Sequence, residues 1–260
     1  MPELPDVECL RRYVDATSLH QTIDAVAVDA PRMLKDTSAE KLRATLEGKT
    51  FRGTARHGKH LLIDVADGPW LMLHFGMTGR LDYARQEGEP PRHTRLEIRF
   101  AEGYRLVGIW QRRLGEIAIV TDPASFIEAR GLGPDALDLG LDAFEQLFAG
   151  RRGTIKSALM DQRFIAGLGN VYSDEILFRA RIDAARQARD LTDADLAELH
   201  RALLHVLRLA IERQADPERL PDSWLLPHRS TSAHCPRCGT RIEKVETAGR
   251  AGYRCPNCQA

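Results

Sequence analysis

Residues 154–182 read TIKSALMDQRFIAGLGNVYSDEILFRARI, and this stretch decides the fold. Apolar side chains recur at helical spacing on both sides of Gly167-Leu168-Gly169-Asn170, so two helices meet at a glycine corner and Asn170 opens the second. Two readings of that corner stand side by side. In one, Asn170 caps a helix–turn–helix bend, a role asparagine commonly takes. In the other, the backbone amides at the helix start seat a phosphate and the asparagine side chain adds a donor.

Upstream of Gly131-Leu132-Gly133-Pro134 the apolar period is two rather than 3.6. HLLIDVADGPWLMLHF predicts two strands joined at Asp67-Gly68, and RLEIRFAEGYRLVGIW repeats the pattern around Glu102-Gly103. EIAIV adds a strand before the Thr121-Asp122-Pro123 turn. A helix from Asp6 to about Leu19 opens the chain, and a second spans Thr37 to Glu47, with Thr37 and Glu40 spaced as a capping box. Downstream, LDAFEQLFAG and LTDADLAELHRALLHVLRLAIERQ carry helical periodicity. The expectation is an α+β multidomain chain: an N-terminal antiparallel β-sandwich with a flanking helix (1–133), a helical domain (134–228) and a C-terminal zinc ribbon hairpin (229–260).

The hairpin rests on Cys235-Pro-Arg-Cys238 and Cys255-Pro-Asn-Cys258, two knuckles able to give four thiolates to one tetrahedral zinc. Four protein ligands leave no open position, so the zinc is structural, and it folds a segment too short to bury a core. A redox dithiol is the alternative for such CxxC pairs. Cys9, alone in a helical pattern, reads as a small buried hydrophobe.

Lysine plus arginine equals aspartate plus glutamate at 37 each, so net charge does not argue for a polyanionic partner. Local distribution does: Arg52, Arg56 and Lys59 stand together without an acid, and the tail carries Arg241, Lys244, Arg250 and Arg254. The chain has neither a run of about 18 apolar residues nor a cleavable leader pattern, so a cytoplasmic protein without a membrane span is expected. The opening Met1-Pro2-Glu3 is either an unimportant terminus or, once Met1 is trimmed, a secondary amine. An α-amine has a pKa near 8, so about a tenth of it is unprotonated and nucleophilic at neutral pH.

Taken in order, PELPDVE, RHGKHLL, LHFGMTGRL, RHTRLEI, GLGPD, the 154–182 stretch, CPRCGTRI and GRAGYRCPNCQ resemble the formamidopyrimidine-DNA glycosylase and endonuclease VIII family over the whole chain. The resemblance implies a bifunctional base-excision enzyme that excises oxidised bases from damaged double-stranded DNA and nicks the abasic site by β,δ-elimination. It makes Pro2 the amine that attacks C1′, Glu3 the acid that helps open the sugar, Lys59 the hairpin lysine near the sugar-phosphate, and Arg250 the finger arginine gripping the flanking phosphates. It places Lys156 and Asn170 in a helix–two-turn–helix unit that contacts the DNA backbone, and Arg152, His74 and His93 at further backbone contacts. Glu175 becomes an acid near the centre, and Met77 and Arg112 become two of three residues that fill the gap left by the flipped base. No catalytic cofactor is implied beyond the structural zinc, and a monomer acting on the nucleoid of a bacterial cytoplasm is expected.

Leu114 stands at the third gap-filling position, where purine-specific members have phenylalanine, and Trp110-Gln111 replaces an aspartate-proline pair. The connector from Trp224 to Cys235 is also short where those members carry a lesion-covering loop. These departures argue against an 8-oxoguanine preference and leave the lesion open. The alternatives are a lyase acting on abasic sites alone and a damage-binding protein without catalysis.

Overall fold

The computed structural model describes residues 1–247 and 249–259. It divides into two compact units, Met1–Pro2 with Asp6–Gly131, and Glu3–Pro5 with Leu132–Ala260.

From Asp6 onward the first unit holds α1 (Leu4–Thr17), with Pro5 in its first turn, where a missing N–H costs nothing. Two sheets follow. One has four strands: β1 (Ile23–Val28), β6 (Arg80–Arg85), β7 (Thr94–Phe100) and β8 (Tyr104–Ile109), in the order β1-β7-β8-β6. The other has five: β2 (Leu34–Lys35), β3 (Phe51–His57), β4 (His60–Val65), β5 (Trp70–His74) and β9 (Glu116–Val120), in the order β2-β9-β5-β4-β3. One apolar core takes Leu61, Ile63, Leu71 and Leu73 from the second sheet and Val26, Leu96, Ile98 and Leu106 from the first, and Val7 and Val14 of α1 close it. The β4–β5 and β7–β8 turns fall at the expected Asp67-Gly68 and Glu102-Gly103. Asp67 has φ +51° and Gly103 φ +82°, the left-handed conformation such turns demand. The unit also carries α2 (Ala39–Leu46) and α3 (Pro123–Arg130). The cap of α2 is Ser38 rather than Thr37: its side chain accepts from the Lys41 N–H, which moves the cap one residue downstream of the expected capping box.

The second unit contains α4 (Leu141–Phe148), α5 (Ile155–Met160), α6 (Asn170–Ala180) and α7 (Asp193–Glu212) around a core that includes Phe144, Phe148, Leu159, Ile176, Leu203 and Trp224. Thr192 caps α7 with a complete capping box through Asp195. The hairpin of β10 (Glu243–Thr247) and β11 (Arg250–Arg254) ends it. Among the described residues, no helix is long and apolar enough to cross a membrane.

Candidate active site and nucleic-acid interface

The 154–182 corner is built around the start of the chain. Glu3 is fully buried, and its carboxylate accepts from the backbone N–H groups of Gly169 at 2.6 Å, Val171 at 2.8 Å and Tyr172 at 3.3 Å. These are the orphan donors of the first turn of α6, so Glu3 caps that helix from 166 residues away. The Leu4 N–H donates to the Gly167 carbonyl at 3.0 Å. A Cβ on Gly169 would come within 2.5 Å of the Glu3 carboxyl, and one on Gly167 within 2.5 Å of Leu4. Both glycines therefore exist for close approach, and neither sequence reading of the corner survives intact. The amides seat the chain's own carboxylate instead of a phosphate. Asn170 does open the helix but does not cap it: its Nδ2 donates to the Ala251 carbonyl at 2.8 Å, across to β11.

Lys156 corrects a second expectation. It lies in the first turn of α5 with no exposed surface, and its Nζ donates to Asp174 Oδ1 at 2.6 Å. A lysine so enclosed has no face to offer a DNA phosphate. Glu175 is equally buried: one carboxylate oxygen accepts from the Leu226 N–H at 2.9 Å, and the other has no hydrogen-bond partner. Burial pushes its carboxyl up to about 7 against the pull of the Leu226 N–H. It too is out of reach of DNA in this conformation. Arg152, by contrast, is exposed on the loop leading into α5.

In the sandwich unit, Lys59 sits in the Gly58-Lys59 turn between β3 and β4 and is 8% exposed, so it is not a solvated surface lysine. Arg56 braces that turn, donating to the Gly58 carbonyl at 3.1 Å and to Glu8 of α1 at 3.2 Å. His74 faces His60 across β4–β5, with ring centroids 5.1 Å apart. Burial lowers His74, with Lys59 and Arg130 adding to the effect and Glu116 opposing it, and burial with His74 alongside pushes His60 down to about 3. His74 is thus biased towards offering a neutral ring N–H rather than a full charge. His93, at φ +71° just before β7, is lowered by desolvation and then by Arg92, Arg95, Arg113 and Arg80.

Met77 and Arg112 meet at the surface: Arg112 Nη1 lies 3.2 Å from Met77 Sδ, and Met77 and Leu114 are 43% and 51% exposed. Beneath them Trp110 is buried and stacked on Phe75, with centroids 6.1 Å apart and planes 12° from parallel. A Cβ on Gly79, Gly108 or Gly115 would lie within 2.4 Å of the indole, so three glycines cradle it. Sequence reading saw only that Trp110 departs from a common pair; the glycines that make room for it were the available signal.

The four cysteine sulfurs lie within 4.8 Å of one another, with Cys235–Cys258 at 3.9 Å and Cys238–Cys255 at 3.5 Å. A zinc with four sulfurs at about 2.3 Å requires neighbours about 3.8 Å apart, so this set fits a structural zinc and leaves no open position. Arg237 of the first knuckle donates to the Phe178 carbonyl at 3.2 Å, and Gln259 Nε2 donates to the Ile182 carbonyl at 3.0 Å, which seats the knuckles on the end of α6. Arg250 opens β11 and is exposed.

Three family regions match this chain: the formamidopyrimidine-DNA glycosylase N-terminal domain over residues 1–117, the formamidopyrimidine-DNA glycosylase H2TH domain over 131–221, and a zinc finger found in FPG and IleRS over 234–260. The chain is 36% identical over 271 residues to the formamidopyrimidine-DNA glycosylase of Geobacter metallireducens, covering all of both chains. It is 34% identical over 279 residues to that of Pelotomaculum thermopropionicum, covering all of this chain and 99% of the other. A crystal structure of the Lactococcus lactis enzyme non-covalently bound to DNA with an AP site superposes with a TM-score of 0.90 at 28% identity, over 99% of each chain. A structure of MutM with DNA containing carbocyclic 8-oxo-G gives the same score at 29% identity, again over 99% of each chain.

Proposed function

Because the chain belongs to the formamidopyrimidine-DNA glycosylase family, we propose that it removes oxidised bases from double-stranded DNA and cleaves the resulting abasic site. The carrying observation is that family matches run through the chain in order, from Met1 to the four-cysteine cluster. The chemistry starts at Pro2. With Met1 removed, its nitrogen attacks C1′ of the damaged nucleotide, the base leaves, and an iminium forms. That iminium acidifies the C2′ proton, so the 3′ phosphate and then the 5′ phosphate are eliminated without a catalytic cofactor.

Glu3 serves as the proton-transferring carboxylic group, and its three backbone donors fix where its oxygens lie. Lys59 supports the reaction at the sugar-phosphate. Arg250, Arg152, Asn170, His74 and His93 bind the backbone, while Met77 and Arg112, with Leu114, occupy the gap left by the flipped base. Lys156 and Glu175 act from behind this surface. The protein works as a monomer on chromosomal DNA in a bacterial cytoplasm, through functional segments 1–133, 134–228 and 229–260. Leucine at 114 favours lesions that do not depend on aromatic stacking beside the gap.

Borohydride should trap the protein on duplexes carrying an oxidised base or an abasic site, with the adduct on the N-terminal peptide and reduced in Pro2→Gly. Absence of an adduct on every damaged duplex, from protein whose intact mass lacks methionine, sinks the enzyme reading. A panel of oxidised purines and pyrimidines identifies the preferred lesion.

A further inference from the structure

Asp174 is 1% exposed, lies on α6 and gathers four donors. Lys156 Nζ donates to Oδ1 at 2.6 Å. Arg229 donates to Oδ2 through Nη2 at 2.8 Å and Nε at 3.2 Å, and the Tyr253 backbone N–H donates to the same oxygen at 3.0 Å. Tyr253 is in β11, three residues after Arg250. The strand is held from both sides of that contact. Asn170 binds the Ala251 carbonyl, and the Arg229 guanidinium lies over the Tyr253 ring at 5.3 Å. Between them, Gly252 passes so close that a Cβ would lie 2.0 Å from Lys156 Nζ and 2.9 Å from Asp174 Oδ1. The buried ions and the strand are in contact with no space for a methyl group.

We propose that Asp174 is the positioning residue for Arg250: with Lys156 and Arg229 it sets the height and register of β11 on α6, and so the aim of the finger arginine at the phosphates. The zinc alone cannot do this. Its ligands fix the base of the hairpin, whereas Arg250 lies next to the turn at the far end, paired with Thr247. The cluster also carries two cations for one anion, which leaves a positive charge beneath the strand that meets DNA. The inference rests on the assignment of Arg250 in the function proposed above.

A double-mutant cycle tests it. Asp174→Asn should lower kcat/KM on a lesion duplex about a hundred-fold, the order expected for a catalytic group misplaced by about 1 Å. Zinc content should remain one per chain. In an Arg250→Ala background the same substitution should cost no more than about two-fold, because the group it positions is gone. The slope of log affinity against log salt should fall by about 0.9 in either single variant and no further in the double. Equal losses in both backgrounds would overturn the proposal and make Asp174 a stability residue only. If Asp174→Asn does not fold, Gly252→Ala, whose methyl would press on Lys156 Nζ and Asp174 Oδ1, takes its place in the cycle, and its loss should likewise shrink to about two-fold in the Arg250→Ala background. Unchanged activity in Arg250→Ala would instead strike at the assignment of Arg250, and the proposal would fall with it.

Discussion

Arg112 and Arg250 are both exposed arginines carried beyond the end of a strand or at its start, and they are braced in opposite ways. Arg112 stands over packing: the buried Trp110 indole on Phe75, flanked by three glycine backbones, with its Nε1–H lacking a partner. Arg250 stands over charge: a carboxylate shared by a lysine, an arginine and a backbone amide, with four thiolates at the base of the hairpin. Dispersion and apolar burial respond little to chelators or pH, whereas metal ligation fails to a chelator and both ligation and ion pairs respond to pH. One protein thus presents two exposed arginines whose supports fail under different conditions.

The largest expected effect is chelation. Structural zinc contributes about 10–16 kcal/mol to comparable small sites, so its removal should unfold the knuckles and abolish strand cleavage. Hydrogen exchange should show protection lost between Cys235 and Cys258 while β4 and β5 stay protected; loss in both would erase the distinction. Next, Trp110→Ala should cost about 3–5 kcal/mol in urea unfolding, the range for a large aromatic deleted from a core. It should lower base excision from duplex DNA far more than cleavage of single-stranded abasic DNA, where no gap needs filling. Equal losses on the two substrates would mean Trp110 has no bearing on Met77 and Arg112.

Glu175 sharpens the comparison from inside the ionic region, because it follows Asp174 in sequence but has one backbone donor on one oxygen. Its carboxyl is raised from 4.5 to about 7 by burial. Below pH 4.5 folded and unfolded chains both hold the proton and the group contributes nothing. From pH 4.5 to 7 only the folded chain holds it, so stability falls as pH rises through that window, by about 3 kcal/mol once complete. Glu175→Gln should flatten that part of the stability–pH curve and be the more stable form at pH 8, measured by denaturant midpoint. The smallest effect is Leu114→Phe, which should tighten binding to a lesion duplex by about 1 kcal/mol through base stacking, read as a lower Kd without a change in salt slope.

What could be read from sequence was local. Asp67-Gly68 and Glu102-Gly103 announce their hairpins because the turn chemistry lies within four residues, and two CxxC knuckles announce a metal for the same reason. The strands of Ile23–Val28, Phe51–His57 and Arg80–Arg85 escaped, the middle one because FRGTARH carries too many polar residues for an alternating pattern and reads as a basic surface. The residues proposed for the site could be named by resemblance, but their surroundings could not. Lysine reads as solvated unless its partner is known, and Asp174 is eighteen positions from Lys156. The glycines of the GLGN corner look like turn formers, because nothing local reveals that Glu3 and Leu4 press against them.

A polypeptide's first residues ordinarily fray, sampling many conformations at little cost. Here the third residue is pinned by three backbone donors, so Pro2, the residue proposed to attack the sugar, trails from a fixed point by a single peptide link, about 3.8 Å from one Cα to the next. On the proposed mechanism, the ordering of that end is completed during folding rather than demanded again each time a sugar carbon arrives. A loosened anchor, as in Glu3→Gln or a methyl at Gly169, would return that disorder to every turnover.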